Sequence, residues 1–218
     1  GFTSAIYVEG ANSVVYGSTR EHALEIKAVL SDGSEAHFRP LTKTEFHEKC
    51  GLQTLEGSIY RNIRDLLSDD LNRRELLANY PDRSTRRRNT GYAVDLLLDA
   101  EPFTENGEKF NFCKLLTGSE GTLAFFTELK MNCVPLPPKE KAVVVVHLAE
   151  LNDAFRANLI ALKYNPVAVE LMDKVILDRT ATNREQQKNR FFVQGDPAAM
   201  LIAEFARDTK QEIEDTTR

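Results

Sequence analysis

Between Gly118 and Pro138 the chain carries three constraints in succession: a glycine-flanked turn, a run of alternating character and a proline stop. Gly118 and Gly121 bracket Ser119 and Glu120, so the backbone there can turn tightly and approach a ligand. Successive N–H groups in such a turn form a concave anion site, and Ser119 and Thr122 add hydroxyl donors. Beyond the turn, Leu123, Phe125, Thr127, Leu129, Met131 and Cys133 alternate with Phe126, Glu128, Lys130 and Asn132, the period-2 pattern of a half-buried strand. Pro135, Pro137 and Pro138 end it. A loop braced by a long strand suits a cofactor; on spacing alone, a Gly-Ser-x-Gly sequence is also simply a turn.

The rest of the chain mixes strands and helices. Ala23 to Ser31 reads as a strand with Leu24, Ile26, Ala28 and Leu30 on one face. Asp32-Gly33 is a strong hairpin signal, with Glu35 to Arg39 as the returning strand. Thr42 and Glu45 form a capping box that opens a short helix through Cys50. Leu55 to Asp70 is an amphipathic helix with Ile59, Ile63 and Leu66 inward, and Leu71 to Tyr80 extends or restarts it until Pro81. Val94 to Asp99 is apolar and leads into a polar loop, Glu101 to Lys109. Lys114 is either solvated or turned towards a ligand.

After Pro138 the character changes. Ala142 to Leu148 reads as a buried strand. A helix capped by Asn152 or Asp153 runs to Lys163, with Ala154, Leu159 and Leu162 inward. A strand follows at Val167 to Leu171, a helix at Asp173 to Arg179, a polar loop at Asn183 to Arg190, a strand at Met200 to Phe205 and a helix from Asp208. Strand–helix–strand followed by strand–helix is the start of a ferredoxin-like layer, so the chain reads as α+β.

Charge and composition narrow the function classes. The 218 residues, 42% hydrophobic, hold one large or two modest domains. A net charge of −5 gives no footprint for nucleic acid or an anionic membrane. No apolar run approaches the ~18 residues of a transmembrane segment. Cys50, Cys113 and Cys133 are odd in number and far apart, which points to reduced core residues in a reducing compartment and hence a cytoplasmic location. His22, His37, His47 and His147 form no local ligand pair, and no metal motif lies in the chain. The basic run Arg83, Arg86, Arg87 and Arg88 before Asn89-Thr90-Gly91-Tyr92 reads, as a charge run, as solvated surface.

Gly118-Ser119-Glu120-Gly121-Thr122-Leu123, followed by Phe125-Phe126-Thr127 and the proline-rich exit, resembles the signature of FAD-linked oxidases of the vanillyl-alcohol-oxidase/PCMH type. The likeness is nearest to their D-lactate and D-2-hydroxyglutarate dehydrogenase branch. Tyr16-Gly17-Ser18-Thr19 is similar to the family's segment along the flavin diphosphate, although Phe2 to Glu9 lack its Gly-x-x-x-Asn-Asn pattern. Arg86, four residues before Thr90, resembles the substrate-carboxylate clamp, a role that suits a bidentate guanidinium and a neutral hydroxyl. Glu170-Leu171-Met172-Asp173 resembles a run of the family's cap domain.

The resemblance implies FAD as cofactor, contacted by Tyr16, Gly17, Ser18, Thr19, Gly118, Ser119, Glu120, Gly121 and Thr122. It implies a small 2-hydroxy acid of the lactate or 2-hydroxyglutarate type, held by Arg86 and Thr90 and oxidised by hydride transfer to the flavin. It names neither the catalytic base nor the electron acceptor. It further implies that residues 1–138 are the second, C-terminal lobe of a PCMH-type FAD-binding domain, an antiparallel sheet with helices. Residues 139–218 are then the beginning of the ferredoxin-like cap domain. The chain would be an internal fragment that alone holds FAD weakly or not at all. The alternative class is a non-enzymatic α+β interaction module, whose arginine run binds an acidic partner and whose glycine loop is a turn.

Overall fold

The computed structural model describes residues 13–85 and 91–217. The chain forms two compact units that divide between Val134 and Pro135, within the proline-rich exit. The first contains α1 (Ser13–Tyr16), α2 (Thr19–His22), β1 (Ala23–Val29), β2 (Glu35–Phe38), α3 (Lys43–Gly51), α4 (Leu55–Ser68), α5 (Asp70–Asn79), a 3-10 helix at Val94–Asp99, α6 (Cys113–Leu116) and β3 (Phe125–Met131).

The Asp32-Gly33 hairpin forms as expected. Gly33 sits at φ +83°, the Leu30 N–H donates to the Ser34 carbonyl at 2.9 Å, and Val29 stands opposite Glu35. On its other side β1 pairs antiparallel with β3, giving the order β2-β1-β3. That pairing departs from strict alternation. Its register shifts once between Ala23 and Glu25 and again between Lys27 and Ala28, where Thr127 of β3 is left over. Leu24 and Thr127 are thus extra residues, one on each strand, and each reverses the parity of the residues beyond it.

The inward face of β3 is therefore Phe126, Leu129 and Met131 rather than the strict odd-numbered series: Phe125 is 59% exposed and Phe126 8%. Outside, the same register sets Lys27 against Glu128 at 2.8 Å and Lys130 against Glu25 at 2.5 Å, with His37 on Glu25 at 2.9 Å. The carbonyl of the extra Leu24 accepts from Asn111 Nδ2 at 3.0 Å.

The core is built on aromatic rings from distant parts of the sequence. The capping box of α3 is present: the Thr42 N–H donates to Glu45 Oε2 at 2.8 Å and the Glu45 N–H donates to Thr42 Oγ1 at 3.3 Å. So started, α3 buries Phe46. Thr54 caps α4, which buries Gly57, Tyr60 and Leu67. Ile59 and Ile63 pack against the core as expected, whereas Leu66 turns outward in favour of Leu67. Phe46 meets Phe110 at a ring-centroid distance of 4.6 Å, and Tyr60 and Phe110 each meet Phe112 at 4.8 Å. Phe110 and Leu41 exchange two backbone hydrogen bonds of 2.8 and 2.9 Å. Arg61 of α4 closes the C-terminal end of α3 by donating to the Cys50 and Leu52 carbonyls at 2.7 and 2.6 Å. The next helix, α5, is a restart, because Asp69 accepts from the Asn72 N–H at 2.8 Å and caps it afresh.

The second unit contains β4 (Glu140–Leu148), α7 (Leu151–Ala161), β5 (Ala168–Asp173), α8 (Lys174–Thr182), α9 (Arg184–Gln187), β6 (Ala199–Arg207) and α10 (Lys210–Thr217). Strand β6 lies between β4 and β5 and runs antiparallel to both. Two parallel strands with one between them form a split β-α-β arrangement, the expected opening of a ferredoxin-like layer. Ala142, Val144, Val169, Ala203, Phe205 and Ile213 pack between this sheet and its helices. Being an edge strand, β4 leaves Val143 and Val146 exposed, against the expectation of a buried run. Helix α7 starts two or three residues early, with Glu150 rather than Asn152 or Asp153 at its cap. Ala154 is buried and Ala161 packs on the core, while Leu159 and Leu162 face outward. Within the expected polar loop, Asn183 caps the short α9 by accepting from the Glu185 and Gln186 N–H groups.

Two measurements check this account. A Cβ on Gly57 would lie 2.1 Å from the Leu52 carbonyl oxygen and 2.8 Å from its carbon. Gly57→Ala is therefore expected to lower stability by about 1–3 kcal/mol in chemical denaturation, despite alanine's better helix propensity. The Thr42 backbone N–H, the Arg39 guanidinium and the Thr42 hydroxyl hold the Glu45 carboxyl down from 4.5 to about 2. Its contribution is fully present above about pH 4.5 and is lost as pH falls towards 2. Glu45→Gln is expected to flatten the dependence of stability on pH across that window.

Candidate functional site

The glycine turn starts from a fixed point in the core. Phe112 and Cys113 are buried, and the Cys113 N–H donates to Asn111 Oδ1 at 2.9 Å. Burial pushes the Cys113 thiol up to about 12, so it stays protonated and is no nucleophile. The chain leaves α6 through bonds from the Thr117 N–H to the Cys113 carbonyl (3.0 Å) and from the Ser119 N–H to the Leu116 carbonyl (3.1 Å). It then turns with Gly118 at φ +84°, Glu120 at +51° and Gly121 at +80°. Side chains rarely adopt this region, so the two glycines are required by the backbone path. The turn closes where the Thr122 N–H and hydroxyl both donate to the Ser119 carbonyl, at 3.1 and 2.5 Å. Among the described residues the N–H groups of Gly118, Glu120 and Gly121 have no backbone acceptor.

Two hydroxyls of this segment are buried without partners. Thr117 and Ser119 are 0% and 2% exposed, and among the described residues Thr117 Oγ1 and Ser119 Oγ meet no hydrogen-bond partner. Leaving a buried polar group unpaired costs about 1–3 kcal/mol. A turn kept only for its shape has no need of them. Two such hydroxyls beside N–H groups that have no backbone acceptor among the described residues are a donor set suited to phosphate or carbonyl oxygens. Leu116 and Leu123, on either flank of the turn, also wall an apolar cavity of about 280 Å³ with Phe38, Ile59 and Ile63.

The structure brings the two glycine-containing segments together. Helix α2 packs on α6, and the buried Arg20 donates from Nε to the Thr117 carbonyl at 3.4 Å. This places Tyr16, Gly17, Ser18 and Thr19 at the N-terminal side of that contact. Gly17 is at φ +81°, and a Cβ there would lie 2.1 Å from Glu21 Oε2. His22 Nε2 lies 2.6 Å from the Tyr16 carbonyl and so carries the proton. Tyr92 reaches the turn from a third segment, its hydroxyl 2.6 Å from Thr122 Oγ1.

Arg86 and Thr90, with Arg87, Arg88 and the stretch Phe2 to Glu9, lie outside the described residues. Arg83 is bound up in structure, paired with Asp95 at 3.5 Å and Asp99 at 3.1 Å. Lys114 pairs with Glu108. Sequence reasoning missed Arg20, Thr117 and Tyr92.

No family model matches the chain. Among curated proteins, the D-2-hydroxyglutarate dehydrogenase of Pseudomonas putida is 31% identical over 169 residues, which are 77% of this chain and 16% of that protein. The Escherichia coli K12 protein of the same name is 32% identical over 170 residues, 78% of this chain and 16% of its own length. That of Pantoea ananatis is 29% identical over 209 residues, 94% and 20%. The chain is therefore related in sequence to D-2-hydroxyglutarate dehydrogenases, in line with the resemblance of its motifs, and it spans 16–20% of the length of these relatives. A solved structure of alkyldihydroxyacetonephosphate synthase aligns with 99% of this chain and 29% of its own, at 14% identity and a TM-score of 0.48.

The unpaired hydroxyls make a prediction that needs no ligand. Thr117→Val keeps the side-chain shape and removes the orphaned oxygen, and Arg20 still has the backbone carbonyl to bond. In the ligand-free protein this substitution is expected to raise stability by about 1 kcal/mol, measured as a higher denaturation midpoint.

Proposed function

We propose that this chain, a relative of D-2-hydroxyglutarate dehydrogenases, is part of an FAD-dependent dehydrogenase that oxidises a D-2-hydroxy acid of the 2-hydroxyglutarate or lactate type. The observation that carries the proposal is the similarity to these dehydrogenases over 77–94% of the chain. The orphaned Thr117 and Ser119 hydroxyls fit the same reading, since a buried donor without a protein partner is what a cofactor's oxygens would satisfy.

In this reading the first unit is the second lobe of the FAD-binding domain and the second unit begins the cap. Tyr16 to Thr19 and Gly118 to Gly121 hold the cofactor from two sides of the Arg20 contact, with neutral hydroxyl and amide donors, and Thr122, whose own N–H and hydroxyl donate to the Ser119 carbonyl, closes the turn behind them. Arg86 binds the substrate carboxylate through its guanidinium fork, and Thr90 adds a neutral hydrogen bond. When bound, the flavin supplies the hydride acceptor for the hydroxy acid. The residues of this chain contribute orientation: they fix the cofactor's polar groups at one end and the substrate's carboxylate at the other.

The complete polypeptide is expected to purify with a flavin spectrum that bleaches on addition of D-2-hydroxyglutarate or D-lactate. Arg86→Met should leave that spectrum unchanged and lower kcat/KM by about ten- to a hundredfold. Arg86→Lys should restore little, because an ammonium cannot reproduce the fork. Steady-state kinetics across a panel of D-2-hydroxy acids checks this. A protein that takes up no flavin, or equal activity of wild type and Arg86→Met on every acid, would count against it.

A further inference from the structure

Tyr92 is placed where it can hold the glycine turn without holding up the fold. The residue is 42% exposed and so contributes little to the core. Its backbone is anchored instead: the Tyr80 hydroxyl, just beyond α5, donates to the Tyr92 carbonyl at 2.8 Å, and the Val94 N–H donates to the same oxygen at 2.9 Å. Its own hydroxyl lies 2.6 Å from Thr122 Oγ1.

The direction of that bond can be worked out. Thr122 has one hydroxyl proton, and at 2.5 Å from the Ser119 carbonyl, which only accepts, that proton is committed. Tyr92 must therefore be the donor to Thr122. A directed chain results, from the Tyr80 hydroxyl to the Tyr92 carbonyl and from the Tyr92 hydroxyl through Thr122 to the Ser119 carbonyl. The last acceptor belongs to the residue whose buried Oγ is orphaned, and it precedes Glu120 and Gly121, both left-handed.

We infer that Tyr92 is a positioning residue for the cofactor turn: its hydroxyl, acting through Thr122, holds the Ser119 peptide so that the Ser119 hydroxyl and the N–H groups after it are presented to the ligand. The inference rests on the proposed FAD reading and adds to it a residue that does not itself touch the cofactor. Arg20 fixes the entry to the turn at Thr117 and Tyr92 fixes its exit at Thr122, so the intervening residues are held at both ends.

The test uses the complete polypeptide stripped of flavin and titrated with FAD, alongside hydrogen exchange of the amides of residues 118–123. Tyr92→Phe is expected to raise the FAD Kd by about five- to twentyfold and to speed exchange in the turn, while thermal stability of the flavin-free protein and exchange at Phe46 and Phe110 stay as in wild type. Thr122→Val should weaken FAD to a similar degree, the double variant should be no weaker than either single one, and Thr122→Ser should retain wild-type affinity. An unchanged Kd for Tyr92→Phe in a wild type that binds FAD overturns the inference and leaves the functional reading standing. So do additive single effects, or a fall in melting temperature that tracks the loss of affinity. A wild type that binds no FAD overturns the functional reading and the cofactor role together, and unaltered exchange in the turn of Tyr92→Phe would then remove the positioning role as well.

Discussion

The contact on which the first unit depends is the packing of Phe110 against Phe46, Phe103 and Phe112, with its backbone bonded on both sides to Leu41. Aromatic pairs of this kind, tilted or edge-to-face, add about 0.5–1.5 kcal/mol each beyond the area they bury. Their larger importance here is positional. Phe110 fixes Phe112, Phe112 fixes the start of α6, and α6 ends at Thr117. The glycine turn is thus only a few residues from some of the most buried side chains in the chain. A loop so mounted keeps its geometry because its base cannot move without opening the core.

Polar contacts finish what the rings begin. Arg20, Asn111 and Tyr92 each reach a main-chain carbonyl or hydroxyl at a point where secondary structure leaves one available: the end of α6, the extra residue of β1, and the turn itself. None of the three makes a sheet or helix bond of the regular kind. Together they convert irregular stretches into defined ones, and two of them, Arg20 and Tyr92, act on the turn whose Thr117 and Ser119 hydroxyls have no partner among the described residues. Among the described residues, Thr117 and Ser119 bring two buried hydroxyls without partners into one turn, the expected arrangement when a site is set into a fold that is otherwise packed.

Much of the fold was legible because its signals are local. Asp32-Gly33 determines a hairpin by backbone conformation alone, and Thr42 with Glu45 starts α3 through two hydrogen bonds three residues apart. The α+β character and the split arrangement of the second unit came from alternating strands and helices. The failures have non-local causes. Periodicity put Phe125 inside because it assumes unbroken alternation, whereas pairing with β1 inserts Thr127. It put Leu66 inside because the inward stripe of α4 is set by where Tyr60 finds Phe46 and Phe112. The site divides in the same way. The glycines of the turn were visible as glycines, while Arg20 and Tyr92 act on residues 97 and 30 positions away, a distance over which spacing carries no information.

The two extra residues in the β1–β3 pairing have a further meaning. Leu24 offsets the register by one and Thr127 offsets it back, so Ala23 opposite Met131 and Val29 opposite Phe125 belong to the same frame, and the stretch between them, Glu25 to Lys27 opposite Glu128 to Lys130, to another. Losing either residue alone would carry the displaced frame to the end of the ladder. Losing both would restore an ordinary ribbon, at the cost of the carbonyl that Asn111 occupies. The two positions, about a hundred residues apart in the chain, therefore behave as one inherited character: an insertion or deletion at one is tolerated only in company with its counterpart at the other.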